Sequence, residues 1–222
     1  MIAVSLTRGE AGPSPAGTGA LGVIRSGEFA LAAATLGLDD AVVCGHPDGL
    51  LPWLAEGVLD GEIAALVARY HPDAVVTFDQ DGLYWHPDHI AVHTHVTRVV
   101  TAMGRDAPAL YYVTTPPGQM RAVSARAGGV AVVPGLDDAD AFGSQAPPPT
   151  LVVDAGPWAR LKLAAIRAHA SQFAASAFAH LSDDDAALIA MEHYRRAPVG
   201  ATGPTLIDRL GQPPAFSRPD HR

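Results

Sequence analysis

Short apolar runs alternate in the first half of this chain with longer stretches where apolar residues recur every three or four positions. That alternation reads as strands and helices in turn. Met1 to Thr7 is predicted as a strand, ended by Arg8-Gly9-Glu10-Ala11-Gly12-Pro13. Val23 to Leu36 keeps helical spacing, and Gly37 stands where a helix stops. Ala41 to Cys44 is a second strand. Val58 to Arg69 is a helix with Val58, Leu59, Ile63, Leu66 and Val67 largely on one face. Ala74 to Phe78 is a near-continuous apolar run, the pattern of a parallel strand buried on both faces. Asp88 is read as the cap of a helix to about Met103, and Ala109 to Val113 as the next strand. This order predicts an α/β fold, a Rossmann-like three-layer parallel sheet with helices on both faces.

The second half is less regular. Residues 114–150 hold Pro116-Pro117, Gly128-Gly129, an acidic patch at Asp137, Asp138 and Asp140, and a proline run. They read as a loop-rich excursion with one strand at Val130 to Val133. Leu151 to Val153 is a last strand, Trp158 to Ser171 a helix, and Asp183 to Arg195 a final helix. The organisation expected is one domain over 1–197 and a Pro/Gly-rich, partly extended tail over 198–222.

Composition adds exclusions. Hydrophobic residues make up 48% and charged ones 17%, which suits a packed core and not a disordered chain. The net charge is −8 and the basic residues are scattered, so a phosphate-tracking nucleic-acid surface is not expected. No apolar run approaches the roughly 20 residues of a membrane span. Met1-Ile2-Ala3-Val4-Ser5 has no signal-peptide pattern, so the expected location is cytoplasmic. A single cysteine, Cys44, rules out an intrachain disulfide and is expected to be buried rather than reactive. Nothing in the sequence fixes an oligomeric state.

The strongest chemical signal is Tyr84-Trp85-His86-Pro87-Asp88-His89, between the strand ending at Phe78 and the helix after it. Ligands of open α/β sheets bind at the carboxyl ends of strands. Imidazole is the commonest metal ligand, a catalytic zinc takes three protein ligands and water, and a neighbouring carboxylate can orient an imidazole. Each residue alone has an ordinary explanation. Proline at a first helical position and Asp at a cap are helix-start chemistry, and histidines on a helix face are usually surface residues. The cluster at a strand end is what favours function.

His86-Pro87-Asp88-His89 after a strand and an acidic, Gly-containing loop resembles the second motif of the LmbE-like or PIG-L deacetylases. Leu6-Thr7-Arg8-Gly9-Glu10-Ala11-Gly12 resembles that family's second strand and loop. Leu21 to Glu28 resembles its Arg-containing helix start, Gly45-His46-Pro47-Asp48-Gly49 its Pro-Asp-Gly loop, and His169-Ala170-Ser171-Gln172 its late His-x-Ser-Gln element. The resemblance implies a zinc-dependent hydrolase, or one using another divalent metal, that removes acetyl from an N-acetylglucosamine-type conjugate. It implies His89 as a metal ligand, His86 as the side chain that polarises the carbonyl or protonates the amine, and Asp88 as its tuner. Arg25 and Asp48 match residues holding sugar hydroxyls, and Tyr84 a residue near the carbonyl.

The same resemblance sets an expectation of absence. The family's first motif, Ala-His-Pro-Asp-Asp-Glu after its first strand, has no counterpart here, and His46-Pro47-Asp48-Gly49 matches a different loop. A missing first strand is expected to leave the edges of Met1–Thr7 and Ala74–Phe78 unpaired or to force them together. A late start of the given sequence, a truncation, and a remnant that only binds a sugar conjugate all stay open. On this expectation the chain binds zinc weakly and hydrolyses little.

Two other readings compete. Gly17 to Gly22 spells G-x-G-x-x-G, the fingerprint of a dinucleotide-dependent oxidoreductase, but about ten residues separate it from the strand it should follow, and Asp39-Asp40 precede the next strand instead of following it. A metal site from His86, His89 and His93 lacks the Glu of the His-Glu-x-x-His pattern. Trp53, Trp158 and Phe173 are expected to pack in the core or a lid, and His169 and Gln172 to lie near the site.

Overall fold

A computed structural model describes residues 1–12, 18–143 and 147–212. Gly17, the first glycine of the G-x-G-x-x-G stretch, and the chain beyond residue 212 lie outside them.

Strand β1 (Ile2–Thr7), helix α1 (Thr18–Thr35) and strand β2 (Asp40–His46) form the first unit. β1 and β2 pair in parallel, from Ile2 opposite Asp40 to Ser5 opposite Val43, and make a two-stranded sheet of their own. α1 begins before the predicted helix and absorbs Gly19 and Gly22. A Cβ on Gly22 would lie 3.3 Å from that of Glu10, so this glycine lets the helix approach the loop after β1. A nucleotide fingerprint needs these glycines in the turn itself.

Helix α2 (Val58–Tyr70), strand β3 (Ala74–Phe78), a tight turn α3 (Gly82–Trp85), helix α4 (Pro87–Met103) and strand β4 (Ala109–Thr114) follow. β3 pairs with β4 in parallel, with Val75 opposite Leu110 and Thr77 opposite Tyr112. The parallel strands and their crossover helices stand where the apolar rhythm places them.

The remainder is short helix α5 (Gln119–Arg126), strand β5 (Leu151–Asp154), helices α6 (Ala159–Arg167) and α7 (Ala170–Phe173), strand β6 (Met191–Gly200), helix α8 (Leu206–Leu210) and strand β7 (Gly211–Gln212). Here three expectations are corrected. The predicted final helix, Asp183–Arg195, is a 3-10 segment at Asp184–Ile189 followed by β6, which lies antiparallel between β4 and β5. Val130–Val133 is no strand; its one pairing is a bridge from Val133 to Leu136. The predicted tail boundary at 198 cuts β6, which runs past Pro198 to Gly200 and returns through α8 to β7. Proline is tolerated there because the β4–β6 register is irregular between Ala109 and Tyr111. The larger sheet therefore runs β3-β4-β6-β5-β7, with a parallel and an antiparallel half.

The core spans both sheets. Leu6 of β1, Leu59 and Ile63 of α2, Val96, Val99 and Val100 of α4, and Leu110 and Tyr112 of β4 form one buried cluster, with Val75 of β3 packed against it. So α2 and α4 make one helical layer across the two sheets. α1 packs on α6 over the opposite face. A second cluster, including Val123, Leu163 and Ile189, fills the space under the irregular half.

Candidate functional site

The turn after β3 sets the geometry. Asp79 is fully buried and accepts from Arg195 of β6 at Nε (3.0 Å) and Nη2 (2.5 Å), which ties the carboxyl end of β3 to the larger sheet. The Arg195 guanidinium also lies over the Tyr112 ring at 4.7 Å. The Asp81 carboxylate accepts from the Leu83 amide at 3.1 Å and starts the turn. Gly82 has φ +57°, and a Cβ there would lie 2.9 Å from the His89 Cβ, so only glycine fits this approach. Leu83 and Trp85 follow at φ 69° and 67°, a left-handed region that costs an ordinary side chain free energy. The Leu83 carbonyl accepts from Gly143 at 2.8 Å and pins the turn to the irregular half.

The turn delivers Tyr84, His86 and His89 to one place. The His86 and His89 ring centroids are 4.6 Å apart, and the Tyr84 ring lies 5.8 Å from the first and 5.3 Å from the second. His89 stacks on Phe78 at 3.9 Å, and its Nδ1 meets the Gly82 carbonyl at 3.1 Å, leaving Nε2 for a ligand. Burial, with His86 alongside, pushes the His89 pKa down to about 4. Burial likewise raises the Tyr84 hydroxyl, keeping it protonated. His86 Nδ1 is buried and has no hydrogen-bond partner among the described residues.

Asp88 is buried at the start of α4. Its carboxylate accepts from the amides of Gly49 (2.7 Å) and Leu51 (3.0 Å), fixing the loop after β2. The cap of α4 is His86, and Pro87 takes the first helical position. The fixed loop presents Asp48, whose carboxylate accepts from Thr7 Oγ1 and the Ala11 amide, both at 3.0 Å. The Asp48 amide donates to Glu10 at 3.0 Å. Arg25 of α1 donates to the Gly9 carbonyl at 2.5 Å; Gly9, at φ +70°, leaves room for the guanidinium where a Cβ would clash.

A cavity of about 640 Å³ joins these groups: Arg25 and Asp48 from the small-sheet side, Tyr84, His86 and His89 from the larger one. His169, Gln172 and Phe173 close it from the α6–α7 side, with an apolar wall of Val132, Val133, Ile166 and Phe178. Glu28 holds this side in place, accepting from Ser171 at its amide (2.7 Å) and hydroxyl (2.8 Å). Burial depresses the His169 pKa. All the predicted site residues but Asp88 line the cavity. His93 does not: its Nδ1 meets the Phe78 carbonyl at 3.0 Å and its ring packs on Tyr112, a structural role. Trp53 and Trp158 are 70% and 59% exposed rather than packed. Sequence reading missed Arg195, Glu28 and the Val132–Val133 wall. The first two act through partners more than a hundred residues away, for which a local pattern carries no signal.

Among the described residues no three His, Cys, Asp or Glu side chains converge to hold a metal ion. Nor is any helix among them long and apolar enough to cross a membrane.

Residues 1–100 match the family model PIG-L, described as GlcNAc-PI de-N-acetylase. The 1D-myo-inositol 2-acetamido-2-deoxy-alpha-D-glucopyranoside deacetylase of Mycolicibacterium vanbaalenii is 30% identical over 174 residues, covering 70% of this chain. The match spans 61% of that relative's length. The N,N'-diacetylchitobiose deacetylase of Pyrococcus horikoshii superposes with a TM-score of 0.63 at 20% identity, over 89% of this chain and 72% of that one. The 4-carboxy-2-hydroxymuconate hydratase of Pseudomonas putida superposes with 0.61 at 18% identity, over 92% and 87%. One fold thus carries two chemistries, and the site residues must decide between them.

Proposed function

The chain belongs to the PIG-L family, and from that premise we propose that its cleft binds a small N-acetylated sugar conjugate and that its reaction is hydrolytic removal of the acetyl group. The observation that carries this reading is the convergence of two imidazoles, a tyrosine, a guanidinium and a carboxylate on one cavity.

Each group has a role its surroundings allow. Arg25 spends one N–H on the Gly9 carbonyl and keeps others for sugar hydroxyls. Asp48 has both oxygens oriented by Thr7 and Ala11 and retains lone pairs that accept from hydroxyls. Tyr84, protonated and half-buried, donates to the acetamide carbonyl. His86 gives a ring proton to the developing oxyanion or to the departing amine; a donor so placed is worth about 3–4 kcal/mol in transition-state stabilisation. Asp88 acts as a positioning residue, through the loop that carries Asp48.

The family's metal, zinc or another divalent ion, would polarise the carbonyl and lower the pKa of its bound water. His89 Nε2 is the donor this chain offers it. One imidazole is not a metal site, and the described residues supply no set of three. The donors present do not fit a complete centre, so the 222-residue chain is proposed to bind metal weakly and to hydrolyse slowly.

The test pairs metal content of the purified chain with acetate release from 1D-myo-inositol 2-acetamido-2-deoxy-alpha-D-glucopyranoside, with and without added zinc. Substoichiometric zinc with slow release fits the proposal. Stoichiometric zinc with rapid turnover contradicts the slow-hydrolysis part, and release unchanged by His86→Ala contradicts the assignment of the cleft.

A further inference from the structure

We propose that the outward face of α1 docks against the same helix of a second copy of this chain, antiparallel about a two-fold axis at Gly27. The inference stands apart from the proposed hydrolysis, and it is read out by the association state.

Helix α1 has two charged residues, and both are engaged with the body of the protein. Arg25 donates to the Gly9 carbonyl, and Glu28 accepts from Ser171. Leu21, Ala32 and Ala33 are buried on that inward side. The outward side is apolar too. At 3.6 residues per turn, Ala20, Gly27 and Ala34 run down its midline, with Val23 and Ala30 on one flank and Ile24 and Leu31 on the other. Every one of them is exposed: Val23 by 72%, Leu31 by 57% and Ile24 by 41%. A Cβ on Gly27 would meet nothing within 4 Å. A surface helix ordinarily turns a polar face to water, and a helix apolar all round is one that is covered. A contiguous exposed apolar stripe marks an interaction site.

The stripe matches itself, which is what a two-fold interface requires of one patch. An axis through Gly27 sets Val23 opposite the second copy's Leu31, Ile24 opposite its Ala30 and Ala20 opposite its Ala34. Ile24 thus faces a small residue, and Gly27 with the alanines lets the two helix axes approach to about 8 Å. Beside the stripe Ser26 falls opposite Glu28, so no like charges face each other. A lipid surface fits less well. Helices that lie on membranes carry Lys or Arg beside the apolar face, whereas the charge flanking this stripe is Glu28 and the chain's net charge is −8. From Ala20 to Ala34 the stripe extends about 21 Å along the helix. That is less than a standard interface of roughly 800 Å² per partner occupies, so the dimer is a reversible one of micromolar strength. Pairing of the outward sides braces the wall of the cleft that carries Arg25.

The experiment is sedimentation velocity of the 222-residue chain from about 1 to 200 µM, since the dimer's share follows protomer concentration. The expected result is a reversible monomer–dimer equilibrium. Val23→Glu and Leu31→Lys, both at exposed positions, should each weaken it by about tenfold or more while circular dichroism stays unchanged. An equimolar mixture of the two variants should associate at least about tenfold more tightly than either alone. The mixed pair sets the introduced carboxylate opposite the introduced ammonium and keeps one native Val23–Leu31 contact. A chain monomeric throughout, a dimer untouched by both substitutions, or a mixture no tighter than its parts overturns the proposal. So does a monomer that co-sediments with vesicles of phosphatidylcholine and phosphatidylglycerol, because a lipid surface would then be the occupant.

Discussion

The two sheets are held in different ways. The larger is braced from within by groups distant in sequence: Asp79 to Arg195, Arg195 over Tyr112, and Tyr111 to Asp208 at 2.5 Å, with Arg196 on the same carboxylate at 2.9 Å. The smaller has one strand pair, and such a pair is marginal without packing. Its order comes from outside, from the shared core, the Asp88 carboxylate on the 49–51 loop, and the Glu28 bond to Ser171. The cleft lies across the junction. One wall is rigid by construction, and the other is positioned by a few bonds.

The largest expected effect comes from the internal brace. Arg195→Met leaves Asp79 buried without its charge partner and should cost about 3–5 kcal/mol in denaturant unfolding. Asp88→Ala removes the carboxylate that accepts from the Gly49 and Leu51 amides and should cost about 2–3 kcal/mol, with faster hydrogen exchange concentrated at residues 47–53. A uniform acceleration across both sheets would mean that the two are held in the same way. In the wild type, β4 amides should exchange only through global unfolding, and β1 amides about tenfold faster or more through local opening.

Two smaller effects sharpen the contrast. Burial raises the Asp208 pKa, but hydrogen bonds from Tyr111 and Thr205, with Arg196 nearby, outweigh it, so the net folded pKa is lowered. A lowered carboxylate pKa adds stability above the unfolded value, lost as pH falls through the folded one. Acid titration should therefore release α8 at a pH below the ordinary carboxylate range; Asp208→Asn should abolish that step. In the small sheet, burial and then Glu62 push the Cys44 thiol up to about 11. Its alkylation at pH 8 should be far slower than that of a free thiol.

How much of this was legible follows the same division. Residues 1–114 show their elements because each strand and helix is decided by its own rhythm; Ala74–Phe78 and Pro87–Met103 lie where they were expected. Met191–Gly200 does not, because Glu192-His193-Tyr194-Arg195-Arg196 has no period that excludes a helix. It becomes a strand by fitting between β4 and β5, which is a long-range fact. The cleft was legible as a set of residues and not as a set of bonds. Asp88 was read as the cap of a helix and, through the resemblance, as the tuner of His86; that its carboxylate also reaches amides 39 and 37 positions away had no local signal. That the β1–β2 pair stands apart from β3 was foreseeable only through the resemblance; among the described residues β1 pairs with β2 and β3 with β4.

On the proposed function, the junction cleft recognises an N-acetylated sugar through Arg25 and its neighbours. Calorimetric titration of the chain with 1D-myo-inositol 2-acetamido-2-deoxy-alpha-D-glucopyranoside, beside Arg25→Met checked for intact folding, tests it most directly. The prediction is saturable binding to the wild type, weakened about tenfold or more in the variant. Equal binding by both, or none by either, would contradict it.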